Sequence, residues 1–413
     1  MLHTKLRLWS ALLVLGGASV GVASVALNVP SASANDGSFH VSQILLGSSL
    51  HHTYTVSGST VFHTETLTKP DDISQWGDDL FVGFQNGVDP QGGASSDGNM
   101  DSTVVELTMS GHVINQWDIA GKNDGLTVDP GLGVLATVNE DANSALYLIR
   151  PYGPASDAVT RFTYNGTLPH LGGTDAIAIL DGQILISASA PGTNGAAAPQ
   201  SAYPAVYSVT LDETTKVATA APLFFDESSA TVANAGGTLG TTTKLQLTDP
   251  DSNEVVPWSS PRFGGDFVLT SQGDLQQIYV SGAETSRQQL SVLTLTQSVD
   301  DTAWTTGSDG SLFSTDSTND AVDVVTGHFD RSQPIVVATP CGNNLAPATC
   351  PAPNFSANYL ATLDLETGTV TAVSVSGSPY VPQGGLVFVS DHGHGDDQGG
   401  HVDDQGDHGH EGR

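Results

Sequence analysis

An aspartate returns at near-regular intervals along this chain, each time at the head of a short strand-forming run. It stands in Lys69-Pro70-Asp71-Asp72-Ile73, Lys122-Asn123-Asp124-Gly125-Leu126 and Gly173-Thr174-Asp175-Ala176-Ile177. It returns in Leu247-Thr248-Asp249-Pro250-Asp251 and in Val299-Asp300-Asp301-Thr302. The spacings are 53, 51, 74 and 51 residues, and the long one holds a Gly/Ala/Thr/Ser-rich excursion from about 226 to 243. A fixed period of this kind demands repeated units, because each repeat can bury its apolar face only against the next.

Within the units, runs such as 80–85 (LFVGFQ), 103–108 (TVVELT) and 112–117 (HVINQW) are short and separated by Gly, Asp and Ser turns. Their β-branched and aromatic content predicts strands, and no long amphipathic helical repeat occurs beyond the N-terminus. Four strands in about fifty residues make a propeller blade, so the expected fold is all-β, a six-bladed β-propeller. Five blades open at the aspartates, and the sixth is begun by Tyr359-Leu360-Ala361-Thr362-Leu363 and Gly385-Leu386-Val387-Phe388-Val389. Strands expected at 43–46, 52–56 and 61–67 would complete the last blade and remove a sheet edge. An open pair of β-sandwich sheets is the competing arrangement.

The ends of the chain differ from this body. Lys5 and Arg7 precede an apolar run from Leu8 to Leu27 and an Ala32-Ser33-Ala34 step, the pattern of a secretory signal peptide over residues 1–34. A retained membrane anchor is the alternative, although Gly16, Gly17 and Gly21 dilute the run. Cleavage would leave a propeller domain at 35–390, secreted or otherwise extracytoplasmic, with no stable membrane insertion. The net charge, -32 from 44 acids and 12 bases, would become -34. A surface so negative repels nucleic acid and anionic lipid and keeps the chain soluble, as a monomer. Cys341 and Cys350, the only cysteines, bracket a short loop and are expected to form a disulfide in an oxidising compartment.

Residues 391–413 read DHGHGDDQGGHVDDQGDHGHEGR, with five His, seven acids and seven Gly in 23 positions. Almost nothing there can enter a core, so a disordered tail is expected. His392, His394, His401, His408 and His410 offer imidazoles beside carboxylates, suited to Zn, Ni or Cu. Such ions should bind while the histidines are neutral and leave as they protonate below about pH 6.5. A merely solvated acidic tail is the plainer alternative.

In a propeller the blade-opening aspartates Asp71, Asp124, Asp175, Asp249 and Asp300 would ring the mouth of the channel. Their mutual repulsion calls for a hard cation such as Ca, for water or for backbone donors. Otherwise each caps its own turn. Two segments, Asp97-Gly98-Asn99-Met100-Asp101 and Asp249-Pro250-Asp251-Ser252-Asn253-Glu254, space oxygen ligands at alternate positions as a calcium loop does, without the acid at the twelfth position. His170 lies on a connecting loop near the presumed mouth. No nucleophile elbow, zinc-protease helix or phosphate-binding loop occurs.

The stretch from Lys122 through Asn123-Asp124-Gly125 to Asp129-Pro130 resembles the blade opening of six-bladed propellers of the gluconolactonase and regucalcin type. It is also similar to the looser repeats of NHL and streptogramin-lyase-like propellers. The first resemblance implies that Asn123 ligates a catalytic divalent ion. Three functions are therefore open. The favoured one is a non-enzymatic exported propeller that binds an unidentified ligand or protein on its loop face and carries a metal-binding tail. A metal-dependent, lactonase-like hydrolase or lyase at the channel mouth is the second, and a structural envelope-associated propeller the third.

Overall fold

The computed structural model describes residues 39–391 except 57, 90–91, 140–142, 170–172, 190–202 and 341–357. The chain is all-β in a propeller-like arrangement of sheets. It starts with β1 (Phe39–Leu46), then a hairpin of β2 (His51–Thr55) and β3 (Phe62–Thr66). The first antiparallel unit follows: β4 (Pro70–Trp76), β5 (Asp79–Phe84), β6 (Asp101–Thr108) and β7 (Val113–Ala120). The second comprises β8 (Lys122–Asp129), β9 (Gly133–Asn139), β10 (Ala145–Ile149) and β11 (Val159–Tyr164). The third comprises β12 (Thr174–Leu180), β13 (Gln183–Ala188), β14 (Pro204–Asp212) and β15 (Val217–Phe225), and β11 and β15 pair in parallel at the outer edge.

The fourth unit has two extra strands. β16 (Ser229–Val232) and β17 (Thr242–Lys244) come from the Gly/Ala/Thr-rich excursion and extend a sheet of β18 (Pro250–Val255), β19 (Phe267–Ser271), β20 (Gln276–Ser281) and β21 (Gln289–Thr294). The insertion that stretched the sequence period is therefore a sheet edge.

The last two units are interleaved. After β22 (Val299–Trp304) the chain crosses to make β23 (Gly310–Asp316) and β24 (Ala321–Thr326), then returns for β25 (Pro334–Ala338), β26 (Tyr359–Asp364) and β27 (Thr369–Ala372). The fifth unit is β22-β25-β26-β27. The final sheet is β29-β23-β24-β1, ending on a short parallel strand, β28 (Val375–Gly377), with β29 spanning Leu386–Ser390. This corrects the expectation that Tyr359 begins the sixth blade: its strand is the third of the fifth unit. The N-terminus does close the last sheet, through β1 against β24 from His40↔Thr326 to Leu46↔Ala321. Of the three N-terminal segments only β1 enters it; β2 and β3 pair with each other as a separate hairpin.

Six apolar clusters hold consecutive units face to face. Phe81 and Val104 meet Leu126 and Val134 between the first and second, and Phe313 and Val322 of the final sheet meet Leu80 and Val82 of the first. Fully buried side chains such as Phe81, Phe267 and Tyr279 each contribute about 1.5–3 kcal/mol by leaving water. Among the described residues no helix is long and apolar enough to cross a membrane.

Candidate functional site: an acid-lined channel mouth

The first strand of each unit faces a shared central cavity of about 710 Å³. In five of these strands the ladder slips at the same place. Pairing jumps from Pro70↔Phe84 to Ile73↔Val82, from Asn123↔Val138 to Gly125↔Thr137 and from Thr174↔Ala188 to Ile177↔Ile186. It jumps likewise from Pro250↔Ser271 to Ser252↔Thr270 and from Val299↔Ala338 to Thr302↔Val336. A bulge frees the inserted residue from the ladder and re-aims its side chain. The residues passed over include Asp71, Asp124, Asp175, Asp251 and Asp300 in turn, and all five line the cavity.

Four of the five expected aspartates, Asp71, Asp124, Asp175 and Asp300, line the cavity; the fifth does not. In the fourth unit the ring residue is Asp251, because the bulge follows Pro250; Asp249 precedes the strand, is not among the cavity-lining residues, and acts on Asp175 and Asp251 through its charge. The segment from Asp249 to Glu254 is consequently no calcium-type turn: Pro250–Val255 is strand, with Asp251, Asn253 and Glu254 on the cavity wall. Between Asp300 and Asp71 the cavity is lined by Gly384, whose N–H donates to Asp300 Oδ2 at 2.6 Å. Its φ of 97° and the Asp71 carbonyl against it leave no room for a Cβ.

A second tier lies next to the first. Asp72 accepts the Leu126 N–H at 2.6 Å, and Asp301 accepts the Leu386 N–H at 2.6 Å, so each carboxylate joins its own first strand to the next unit's. Glu254 completes this tier electrostatically, facing Asp301 and Asp72. With Asp129 and Asp181, ten carboxyl side chains among the described residues line the cavity, and no described Lys or Arg does.

One cation answers them from the edge. Lys122, the first residue of β8, places Nζ 2.6 Å from Asp124 Oδ1, which also accepts Gln85 Nε2 at 2.7 Å. Gln272 repeats that arrangement, donating to Asp300 Oδ1 at 2.6 Å. Burial pulls the Lys122 ammonium toward neutrality, but the attraction of Asp124, Asp71 and Asp175 outweighs it and raises its pKa. Burial, then neighbouring carboxylates, pushes Asp71, Asp175, Asp251, Glu254 and Asp301 well above the usual carboxylate range. Asp72 is raised to about 7 by burial, against the backbone donors of Leu126 and Ile73. Asp300 is raised less, since Asp251, Gly384 and Gln272 hydrogen-bond to it. Burial and mutual repulsion thus both favour the protonated form of these carboxyls, and a nearby cation favours the ionised one.

Asn123 does not join this group. It is fully buried, its Nδ2 donates to the carbonyls of Gly125 and Thr137 at 2.9 Å each, and Oδ1 lies against Gly83 of the first unit. It is absent from the cavity wall, so the ligand role implied by resemblance has no geometric support. Gly125 in the same motif is there for closeness: a Cβ would stand 2.6 Å from the Asp175 carbonyl oxygen. In the other proposed calcium loop, Asn99 Nδ2 is engaged by Glu65 and the Asp101 carbonyl, tying the loop to the β2–β3 hairpin. No group of three or more His, Cys, Asp or Glu with metal-holding geometry occurs among the described residues. Cys341, Cys350, His170, His392, His394, His401, His408 and His410 lie outside the described residues.

The sequence reading left Lys122, Asp72 and Asp301 out of the site and placed Asp251 and Glu254 only in a calcium-type turn. A signal existed for two of them: Asp71-Asp72 and Asp300-Asp301 are the paired acids of the blade openings. Lys122 was in view only as the start of a motif.

No protein-family model and no curated protein matches the sequence. Similar solved structures include the periplasmic gluconolactonase of Pseudomonas aeruginosa, at 12% identity over 85% of this chain and 99% of that one, with a TM-score of 0.42. A functionally unknown protein from Desulfotomaculum acetoxidans matches at 10% identity, covering 86% and 99% of the two chains, with a TM-score of 0.40. Streptogramin B lyase matches at 10% identity, covering 84% and 91%, with a TM-score of 0.37. Similarity this low carries no argument about activity.

Proposed function

We propose that this chain is an exported six-bladed propeller that binds a cationic ligand in the acid-lined mouth of its channel, without catalysing a reaction. The observation behind this reading is the imbalance of ten lining carboxyl groups against the single neighbouring ammonium of Lys122. A cation entering there gains attraction from both tiers and releases the protons that burial has retained. The tail from 391 onward would add a separate site for Zn, Ni or Cu through His392, His394, His401, His408 and His410.

Titration of the mature chain with calcium chloride at pH 7 should give saturable binding and proton release, and Asp71→Asn with Asp300→Asn should abolish both. Absence of binding by calcium and by organic cations alike would end this reading. For the tail, zinc stoichiometry should fall when the chain is ended at Ser390; equal stoichiometry refutes a tail site.

A lactonase-like hydrolase is the second reading. It is favoured by the carboxyl of Asp72, raised to about 7 in an open cavity, since a general base works best near the ambient pH. Divalent-ion-dependent lactone hydrolysis lost in Asp72→Asn would establish it over simple binding.

A further inference from the structure

The ligand class of the same cavity follows from what already sits beside it, and the inference rests on reading the mouth as a cation site. We infer that the site takes an aliphatic polyamine, a chain of methylenes carrying several ammonium groups, in preference to a bare metal ion.

The first observation is Lys122. Its side chain is a four-carbon stem ending in a primary ammonium, held by Asp124 at 2.6 Å with Asp71, Asp175 and Asp300 within charge reach. The ring is therefore already built around an alkylammonium head. It is also underused: Asp124 is 7% exposed, and its Oδ2 is buried with no hydrogen-bond partner. Asn253, 5% exposed on the same wall, likewise keeps an unpartnered Oδ1.

The second observation is the wall between the carboxylates. Leu126, Val128, Ile177, Ile179, Val255 and Leu386 line the cavity alongside the acids. Hydrated metal ions gain nothing from aliphatic walls, whereas methylenes between ammonium groups leave water against them. The acids come from five different first strands, Asp71 and Asp72 from β4, Asp124 from β8, Asp175 from β12, Asp251 and Glu254 from β18, Asp300 and Asp301 from β22, and no three of the described acids have metal-holding geometry. Separated carboxylates suit separated ammonium groups; a calcium ion needs six to eight oxygens converging on one point. A cavity of about 710 Å³ accommodates a flexible chain.

The test is calorimetric titration of the full mature chain at pH 7.5 with spermidine and, separately, with calcium chloride. Spermidine should bind one to one, at least about tenfold more tightly than calcium. Asp72→Asn and Glu254→Gln should each weaken spermidine about tenfold, while Asp157→Asn, a surface acid outside the cavity, leaves it unchanged. Lys122→Met should strengthen spermidine binding by vacating the ring. If calcium binds as tightly as spermidine or more so, the polyamine inference fails and the cation site stands. If neither binds, both fail. If Asp157→Asn weakens spermidine as much as the cavity variants do, binding is diffuse surface attraction and the inference is overturned.

Discussion

Lys122→Met removes the one ammonium that faces the carboxylate ring while nearly preserving the length of the side chain. The Nζ–Asp124 contact of 2.6 Å is well buried, with the two side chains 22% and 4% exposed. Removing one member of such a pair strands the other, at a cost of about 3–5 kcal/mol. The chain can escape part of this by keeping one more carboxyl protonated, and that sets a ceiling. Burial has already raised Asp71 and Asp175 above the ordinary carboxylate range, so this escape costs less than for an exposed acid, and less at pH 5 than at pH 7. Asp124 keeps its hydrogen bond from Gln85, which lowers the loss somewhat. The expected destabilisation is therefore about 3 kcal/mol at pH 7 and clearly smaller at pH 5. Urea unfolding of wild type and variant at both pH values, followed by tryptophan fluorescence, measures it. A loss below about 1 kcal/mol at pH 7, or the same loss at both pH values, would refute the view that Lys122 is the counter-charge of the ring.

Two further perturbations probe the frame around the site. His52, on the β2–β3 hairpin, is buried between Glu65 at 2.9 Å and Asp118 of β7 at 3.4 Å, with Asp101 and Tyr54 also facing it. Burial lowers its pKa, but Asp118 and Glu65 outweigh this and raise it above 6.5, so its contribution is complete below the unfolded pKa and is lost as pH rises through the folded one. Amide protection in β2 and β3, corrected for the intrinsic rise of exchange with pH, should fall as pH climbs above 6.5, and His52→Gln should remove that fall; a wild-type protection that does not change with pH contradicts this. Gly384→Ala should cost about 3 kcal/mol from its left-handed backbone and its overlap with the Asp71 carbonyl, against about 1 kcal/mol for Gly58→Ala, whose Cβ meets nothing within 4 Å. Equal thermal midpoints for the two variants would remove the steric account of the gap in the ring.

The closure of the ring and the composition of its mouth come from different distances along the chain. Strand runs, turn residues and the recurring aspartate are local, so the sequence by itself determined an all-β repeat and a carboxylate at the head of five of its units. Those features follow from side-chain shape and alternation within a few residues. Tertiary pairing decided the rest. Whether Asp249 or Asp251 enters the cavity depends on where the β18–β19 ladder slips, and that is settled by the partner strand. The final sheet takes β23 and β24 out of the preceding unit's sequence and closes on β1, whose partners lie nearly three hundred residues away. Asn123 and Asp124 are neighbours, yet the bulge between Asn123 and Gly125 sends one into the seam and the other into the cavity. The charge excess could be read from composition, but its concentration on one wall, met among the described residues by Lys122, exists only because the first strands of successive units converge there.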